Sequence, residues 1–168
     1  IGEDGSFLRK DFWNAVDILI LAMDAFVDIS SYPTPKITEN AKSFRELGLG
    51  FANLGALIMT KGLAYDSNEG EAWAGAISSL LGGEAYRFST ELARRQEPFA
   101  GYAINREPML NVINKHRIAS HDIKTELLDD EVLAKESRNV WDEALEAGEK
   151  YGFRNSQSTV IAPTGTIA

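Results

Sequence analysis

Residues 12–29, FWNAVDILILAMDAFVDI, set Asn14, Asp17, Asp24 and Asp28 at spacings of three, seven and four. On a helix that is one narrow polar stripe, and almost every other position is apolar. A surface helix of a globular protein needs only about a third of its circumference apolar. A helix that is apolar on most sides demands protein around most of it. Two architectures supply that: the centre of a small helical bundle, or a section of a larger protein whose other parts cover the helix. The second is favoured. The four polar residues also break the stretch as a membrane span. Asp11 is placed to cap its start. Asp24 and Asp28, four apart, share a face and read as part of a solvated stripe, not as a catalytic carboxylate pair. A face this apolar, left bare, predicts self-association of the chain.

The segment SSYPTP that follows is a break, because two prolines one residue apart favour extended backbone. A short helical turn is expected from Thr38, with Ala41, Phe44 and Leu47 on one face. Gly48, Gly50 and Gly55 make a poor helix interior. Residues 47–51 therefore read as a short buried strand with close neighbours, leading into a helix over 53–61 capped by Gly62. Asp66 followed by Glu69 has the capping-box spacing, opening a long helix to Gln96 that stops before Pro98. Within it Gly82 and Gly83 each cost roughly 1 kcal/mol relative to alanine, which points to tight packing or a kink there. Pro108 suits the first turn of a helix over 107–117. The polar stretch HDIKTELLDD reads as loop with a helical turn. Asp129 or Asp130 then caps a last helix carrying Val132, Leu133, Val140, Trp141, Ala144 and Leu145, which Gly152 ends. The fold class is mainly α with one or two short strands. No repeat, linker or boundary divides residues 1–168, which read as a single unit.

Composition removes several functions. Twenty-five acids against 17 bases give a net charge of −8, and no basic cluster offers a nucleic-acid surface. With no cysteine, the chain has no disulfide, thiolate metal site or thiol nucleophile of its own. That fits a reducing, cytoplasmic setting. His116 and His121 lack the partners of a zinc helix and read as surface or packing residues, so no metal site is expected. The chain opens on Ile1 with no basic n-region or cleavage site, as expected of a piece of a longer protein.

One stretch has the layout of a ligand site. In STVIAPTGTIA a β-branched run delivers Pro163, Thr164, Gly165 and Thr166. A strand ending in such a turn presents backbone N–H groups and hydroxyls to an anion, especially where a helix starts. It lacks the lysine and the glycine spacing of a P-loop. The glycine pair in GLGF likewise lacks the third glycine of a dinucleotide fingerprint. On pattern alone, an ordinary turn is the favoured account of the stretch.

Four blocks in order resemble the large subunit of ribonucleotide reductases: DAFVDISSYPTPKI, FRELGLGFANLGALIMTKGLAYDSNEGEAWA, FAGYAINREPMLNVINKHR and YGFRNSQSTVIAPTGTIA. The form APTGTI and the block before it are most similar to the adenosylcobalamin (vitamin B12)-dependent class. The resemblance implies a section of the second half of a ten-stranded α/β barrel, with residues 47–51 and 158–162 as barrel strands. It implies reduction of a ribonucleotide, expected to be a diphosphate, to the 2′-deoxynucleotide. In that class cobalamin homolysis generates a thiyl radical and a cysteine pair supplies the electrons. It further implies a thioredoxin-type reductant and a homo-oligomeric parent.

Carried over by position, Pro163, Thr164, Gly165, Thr166, Ile167 and Ala168 match the family's substrate-phosphate cradle. The catalytic cysteines have no counterpart here, so no catalytic residue is assigned. The chain is expected to be inactive alone, and adenosylcobalamin is expected in the parent protein but not on this section. Two other readings stay open: a section of a metal-radical reductase large subunit, and a non-catalytic helical interaction module.

Overall fold

A computed structural model describes Gly2 and residues 6–162 of the chain. The elements in order are α1 (Arg9–Ile29), α2 (Pro35–Phe44), α3 (Leu54–Thr60), α4 (Asn68–Gln96), α5 (Tyr102–His121), a 3₁₀ turn (Thr125–Leu127) and α6 (Glu131–Tyr151). The long helix α4 is the axis of the arrangement, with buried residues on all sides between Gly70 and Ala93. It packs against α6 along one face, α1 along another, and the α3 and N-terminal residues at its start.

Three apolar clusters hold these layers. Val16, Ile20 and Val27 of α1 meet Leu81, Ala85 and Leu92 of α4, together with Leu47 and Leu49. Tyr86 of α4, Tyr102 and Ile113 of α5, Val140 and Trp141 of α6, and Phe153 form the second. Trp73, Ile77 and Leu80 meet Leu133 in the third. The glycine pair of α4 is explained by the second cluster. A Cβ on Gly82 would stand 2.9 Å from Trp141 Cζ2, and one on Gly83 would overlap Val140 Cγ1. The α4–α6 contact is also pinned by Trp141 Nε1, which donates to Ser79 Oγ at 3.0 Å, while Ser79 Oγ donates to the Ser137 carbonyl at 2.5 Å.

Several boundaries differ from the sequence expectation. α1 begins at Arg9 with no side-chain cap, so Asp11 sits in its first turn. α2 begins at Pro35, earlier than Thr38, because Thr34 caps it by accepting from Ile37 N and a proline is tolerated at the first helical position. Ser67, one residue after Asp66, is the cap of α4, accepting from Gly70 N at 3.0 Å. α5 runs from Tyr102, with Pro108 inside it instead of in its first turn. The carbonyl that Pro108 leaves without a donor belongs to Ile104, a position 90% exposed. Asp130 caps α6 through Leu133 N at 2.9 Å, and Gly152 ends it at φ 74°.

The two expected strands come together, but as a single parallel bridge between Leu49 and Thr159 and not as a ladder. Around it Leu47 N donates to the Gln157 carbonyl (2.8 Å), Leu49 N to the Ser158 carbonyl (3.1 Å), and Val160 N to the Leu49 carbonyl (3.0 Å). Arg45, Leu47 and Leu49 point inward while Glu46, Gly48 and Gly50 face out, the period-two alternation of a strand. Among the described residues no helix is long and apolar enough to cross a membrane.

Candidate functional site

The paired segments 45–50 and 154–160 are the parts of the chain that lead to residues 163–168. The six expected phosphate-binding positions, Pro163 to Ala168, lie outside the described residues. What is described is the bridged pair of segments that precedes them in the chain. Gly48 and Gly50 lie in that pair. A Cβ on Gly48 would meet Val160 Cγ1 at 3.0 Å, and one on Gly50 would stand 2.8 Å from the Val160 carbonyl oxygen. The two glycines serve close backbone approach.

Below the bridge lies a buried polar network. Arg45 ends α2 in the left-handed conformation, φ 52° and ψ 47°. For a residue with a Cβ that conformation costs roughly 1–2 kcal/mol, so its surroundings must hold it there. They do so through the guanidinium. Nε donates to Asp24 Oδ1 at 2.8 Å, Nη1 to Asp28 Oδ1 at 2.7 Å, and Nη2 to both Asp28 Oδ2 (3.0 Å) and the Asp24 carbonyl (2.8 Å). Asp24 and Arg45 are 3% and 4% exposed. Burial opposes the arginine's charge, but the two carboxylates outweigh it and raise its pKa. The same hydrogen bond to Arg45 lowers the pKa of Asp28. Each charge-assisted bond contributes roughly 1.5–3 kcal/mol, enough together to offset the backbone strain.

Asn155 joins this pair to the C-terminal segment. Its Nδ2 donates to Asp24 Oδ1 at 2.8 Å and to the Arg45 carbonyl at 3.2 Å. Its Oδ1 accepts from Ser89 Oγ of α4 at 2.9 Å, and its backbone N donates back to that hydroxyl at 3.0 Å. Arg154 adds a longer contact to Asp24 Oδ2 (3.5 Å) and donates to the Gln96 and Glu97 carbonyls at the end of α4. Helices α1, α2 and α4 and the segment after α6 thus meet at one point. The stripe on α1 is therefore not a solvated one at this end. Asp24 is an internal anion, and Asp28 guards its rim with its side chain 54% exposed. The apolar surroundings hid this reading. The signal that could have found it is Arg45, in step with the inward positions Leu47 and Leu49.

A half-buried acid, Asp17, lies further along the same stripe. Asp17 faces Glu84 of α4, which is 2% exposed and paired with Arg87 at 2.8 and 2.5 Å. Burial, then the hydrogen bond and like charge of Glu84, push Asp17 up to about 7, with Arg87 pulling the other way. The histidines fill packing and surface positions. His116 stacks on Trp141 at 4.9 Å, its pKa lowered by burial, and His121 lies 3.2 Å from Asp142 Oδ1. No group of three or more metal-ligating side chains occurs among the described residues. A cleft of about 330 Å³ beside the bridge is lined by Tyr86, His116, Trp141, Thr159 and Ile161, and another of about 410 Å³ opens between Phe12, Phe51 and Leu57.

Residues 2–168 match the family described as ribonucleotide reductase, barrel domain. A vitamin B12-dependent ribonucleotide reductase of Rhodopirellula baltica is 46% identical over the whole chain, which covers 16% of that protein. The enzyme of the same name from Streptomyces coelicolor is 47% identical over 96% of the chain and 17% of its own length. A ribonucleoside-diphosphate reductase subunit alpha of Chlamydia pneumoniae is 27% identical over 91% of the chain and 14% of that protein. The chain spans about one-sixth of the length of these curated relatives.

Proposed function

The chain belongs to the ribonucleotide reductase family, as part of its barrel domain, and from that premise we propose that it is a section of a vitamin B12-dependent reductase that converts ribonucleotides to 2′-deoxyribonucleotides. The observation that carries this reading is the difference in likeness. Identity is 46–47% to the two B12-dependent enzymes and 27% to the diphosphate reductase alpha subunit. The substrate we propose is a ribonucleoside diphosphate, and the parent protein is a homo-oligomer served by a thioredoxin-type reductant.

Within that protein the role of this section is to bind and orient. Residues Pro163, Thr164, Gly165, Thr166, Ile167 and Ala168 are proposed to hold the substrate phosphates through the two threonine hydroxyls and backbone N–H groups. Hydroxyls bound to an anion raise its occupancy without supplying redox chemistry. The cysteine-free chain leaves the radical and reducing thiols to other parts of the parent. Adenosylcobalamin, when bound, supplies the radical initiation. The cofactor is proposed for the parent protein and not for this section.

An activity assay of the full-length protein tests the reading. Deoxynucleotide formation from a diphosphate should require adenosylcobalamin and should not require a separate radical-generating subunit. Activity without the cofactor, given such a subunit, would overturn it in favour of a metal-radical reductase. A preference for triphosphates would correct only the substrate.

A further inference from the structure

The network around Arg45 is an expensive way to fill a core. Buried ion pairs are often matched or bettered in stability by apolar side chains of similar volume. What apolar packing lacks is direction, since hydrophobic burial follows area alone while hydrogen bonds hold an angle and a distance. The place where direction is needed is visible in the connectivity. Asn155 is fully buried and donates or accepts at every side-chain polar atom, to Asp24, Arg45 and Ser89. Four residues later Thr159 pairs with Leu49, and the chain then runs on to Pro163. Between Asn155 and the bridge, Leu47 N takes the Gln157 carbonyl and Gln157 Nε2 takes the Leu47 carbonyl at 3.4 Å. A slip of one residue here would exchange inward for outward side chains along the whole segment, and the network forbids it.

We infer that Asn155, held by Asp24, Arg45 and Ser89, is a positioning residue for nucleotide binding. It fixes the register and height of the segment that delivers residues 163–168, and it touches no substrate itself. This rests on the reading of those residues as the phosphate cradle. The arrangement joins a rigid anchor on α4, through Ser89, to a backbone held on both sides. The left-handed Arg45 fits the same role, because its carbonyl is aimed at Asn155 Nδ2 only in the conformation that the two aspartates enforce.

The test is steady-state kinetics on the full-length reductase with its cofactor, for Asn155→Ala, Ser89→Ala and Thr164→Ala, each with a thermal unfolding measurement. Asn155→Ala should raise KM for the ribonucleotide about fivefold or more, with kcat per folded enzyme changed by less than about twofold. Ser89→Ala, which removes one hydroxyl, should move KM in the same direction by a smaller factor and serves if Asn155→Ala does not fold. A loss of thermal stability or of kcat with KM unchanged in both variants overturns the inference and makes the network purely structural. Thr164→Ala separates the two readings. If it raises KM while the network variants do not, the cradle stands and the positioning role falls. If the network variants raise KM and Thr164→Ala does not, the positioning role stands through the backbone of the segment and the Thr164 hydroxyl is removed as a phosphate ligand.

Discussion

Asp17 on α1 faces Glu84 on α4 in the seam between the two helices, and its Oδ1 is buried there without a hydrogen-bond partner. Burial first, then the neighbouring carboxyl of Glu84, push Asp17 up to about 7, so it keeps a proton that an exposed aspartate gives up. The unfolded chain releases that proton near pH 4, so between about pH 4 and 7 the folded state holds more protons than the unfolded one. Asp17 therefore stabilises the fold fully at low pH, and its contribution is lost as pH rises through 7. Asp17→Asn keeps the size and polarity of the side chain and removes its titration. The unfolding free energy of the variant relative to the parent chain should rise across that window by roughly 1–2 kcal/mol, allowing for the solvent screening of a half-buried group. A difference that stays flat from pH 4 to 7 would show that the fold does not hold Asp17 protonated.

Gly83→Ala sets helix propensity against packing. In an exposed helix interior the change stabilises by about 1 kcal/mol. Here the new methyl would overlap Val140 Cγ1 and press on Trp141. Overpacking of a filled core costs typically 1–3 kcal/mol, so packing wins and the variant should be less stable. A denaturant midpoint above that of the parent chain would mean that α4 and α6 are not in close contact at this point.

Arg45→Met should be among the most damaging single changes. It leaves Asp24 buried and without its main counter-charge, for which roughly 3–5 kcal/mol is typical. Glu91→Gln is the contrasting case. It removes the ion pairs with Arg94 and Arg95, whose side chains are 48% and 68% exposed. Exposed pairs contribute under about 1 kcal/mol. Chemical denaturation of the two variants should differ by several-fold in lost stability, and equal losses would contradict the buried network.

For the phosphate cradle, Thr164→Ala and Thr166→Ala in the full-length reductase should each raise KM. One charge-assisted hydrogen bond contributes roughly 1.5–3 kcal/mol, which is about ten- to a hundredfold. Unchanged KM and kcat in both would remove the assignment.

The outer face of α1 carries Ile18, Phe26 and Ile29 at 65%, 59% and 74% exposure. The isolated chain should self-associate through it at high concentration, and Phe26→Glu should restore monomers in sedimentation experiments. A chain that stays monomeric without the substitution would show that this face alone does not drive association.

Element existence was legible because hydrophobic period and punctuation agree along most of the chain. Gly62 and Gly152 sit at positive φ at the helix ends where they were expected, and the paired glycines of α4 lie under Trp141 and Val140. Boundaries failed at prolines: Pro35 reads as part of a break although it opens α2, and Pro108 reads as a helix start although it lies inside α5. The polar centre was illegible for a different reason. Asp24, Arg45, Ser89 and Asn155 are far apart in sequence, and each has an ordinary surface role as an isolated letter. Nothing local distinguishes an aspartate facing water from one facing an arginine that arrives from another helix. The expected strands show the converse case: their existence was visible in Gly48, Gly50 and the β-branched run after Ser158, while the extent of their pairing depends on neighbours in space.

The bonds of Asn155 to Arg45 and Asp24 span 110 and 131 residues. Contacts of that separation make loop closure costly and folding slow. During synthesis Asp24, Arg45 and Ser89 leave the ribosome well before Asn155, so the emerging chain must carry a buried-type ion pair and an open seam beside α4 until Asn155 arrives. The strand pair is in this sense a late-closing clasp. Such an intermediate, with an unpaired strand edge and bare apolar surface, is the form most exposed to aggregation and to chaperones.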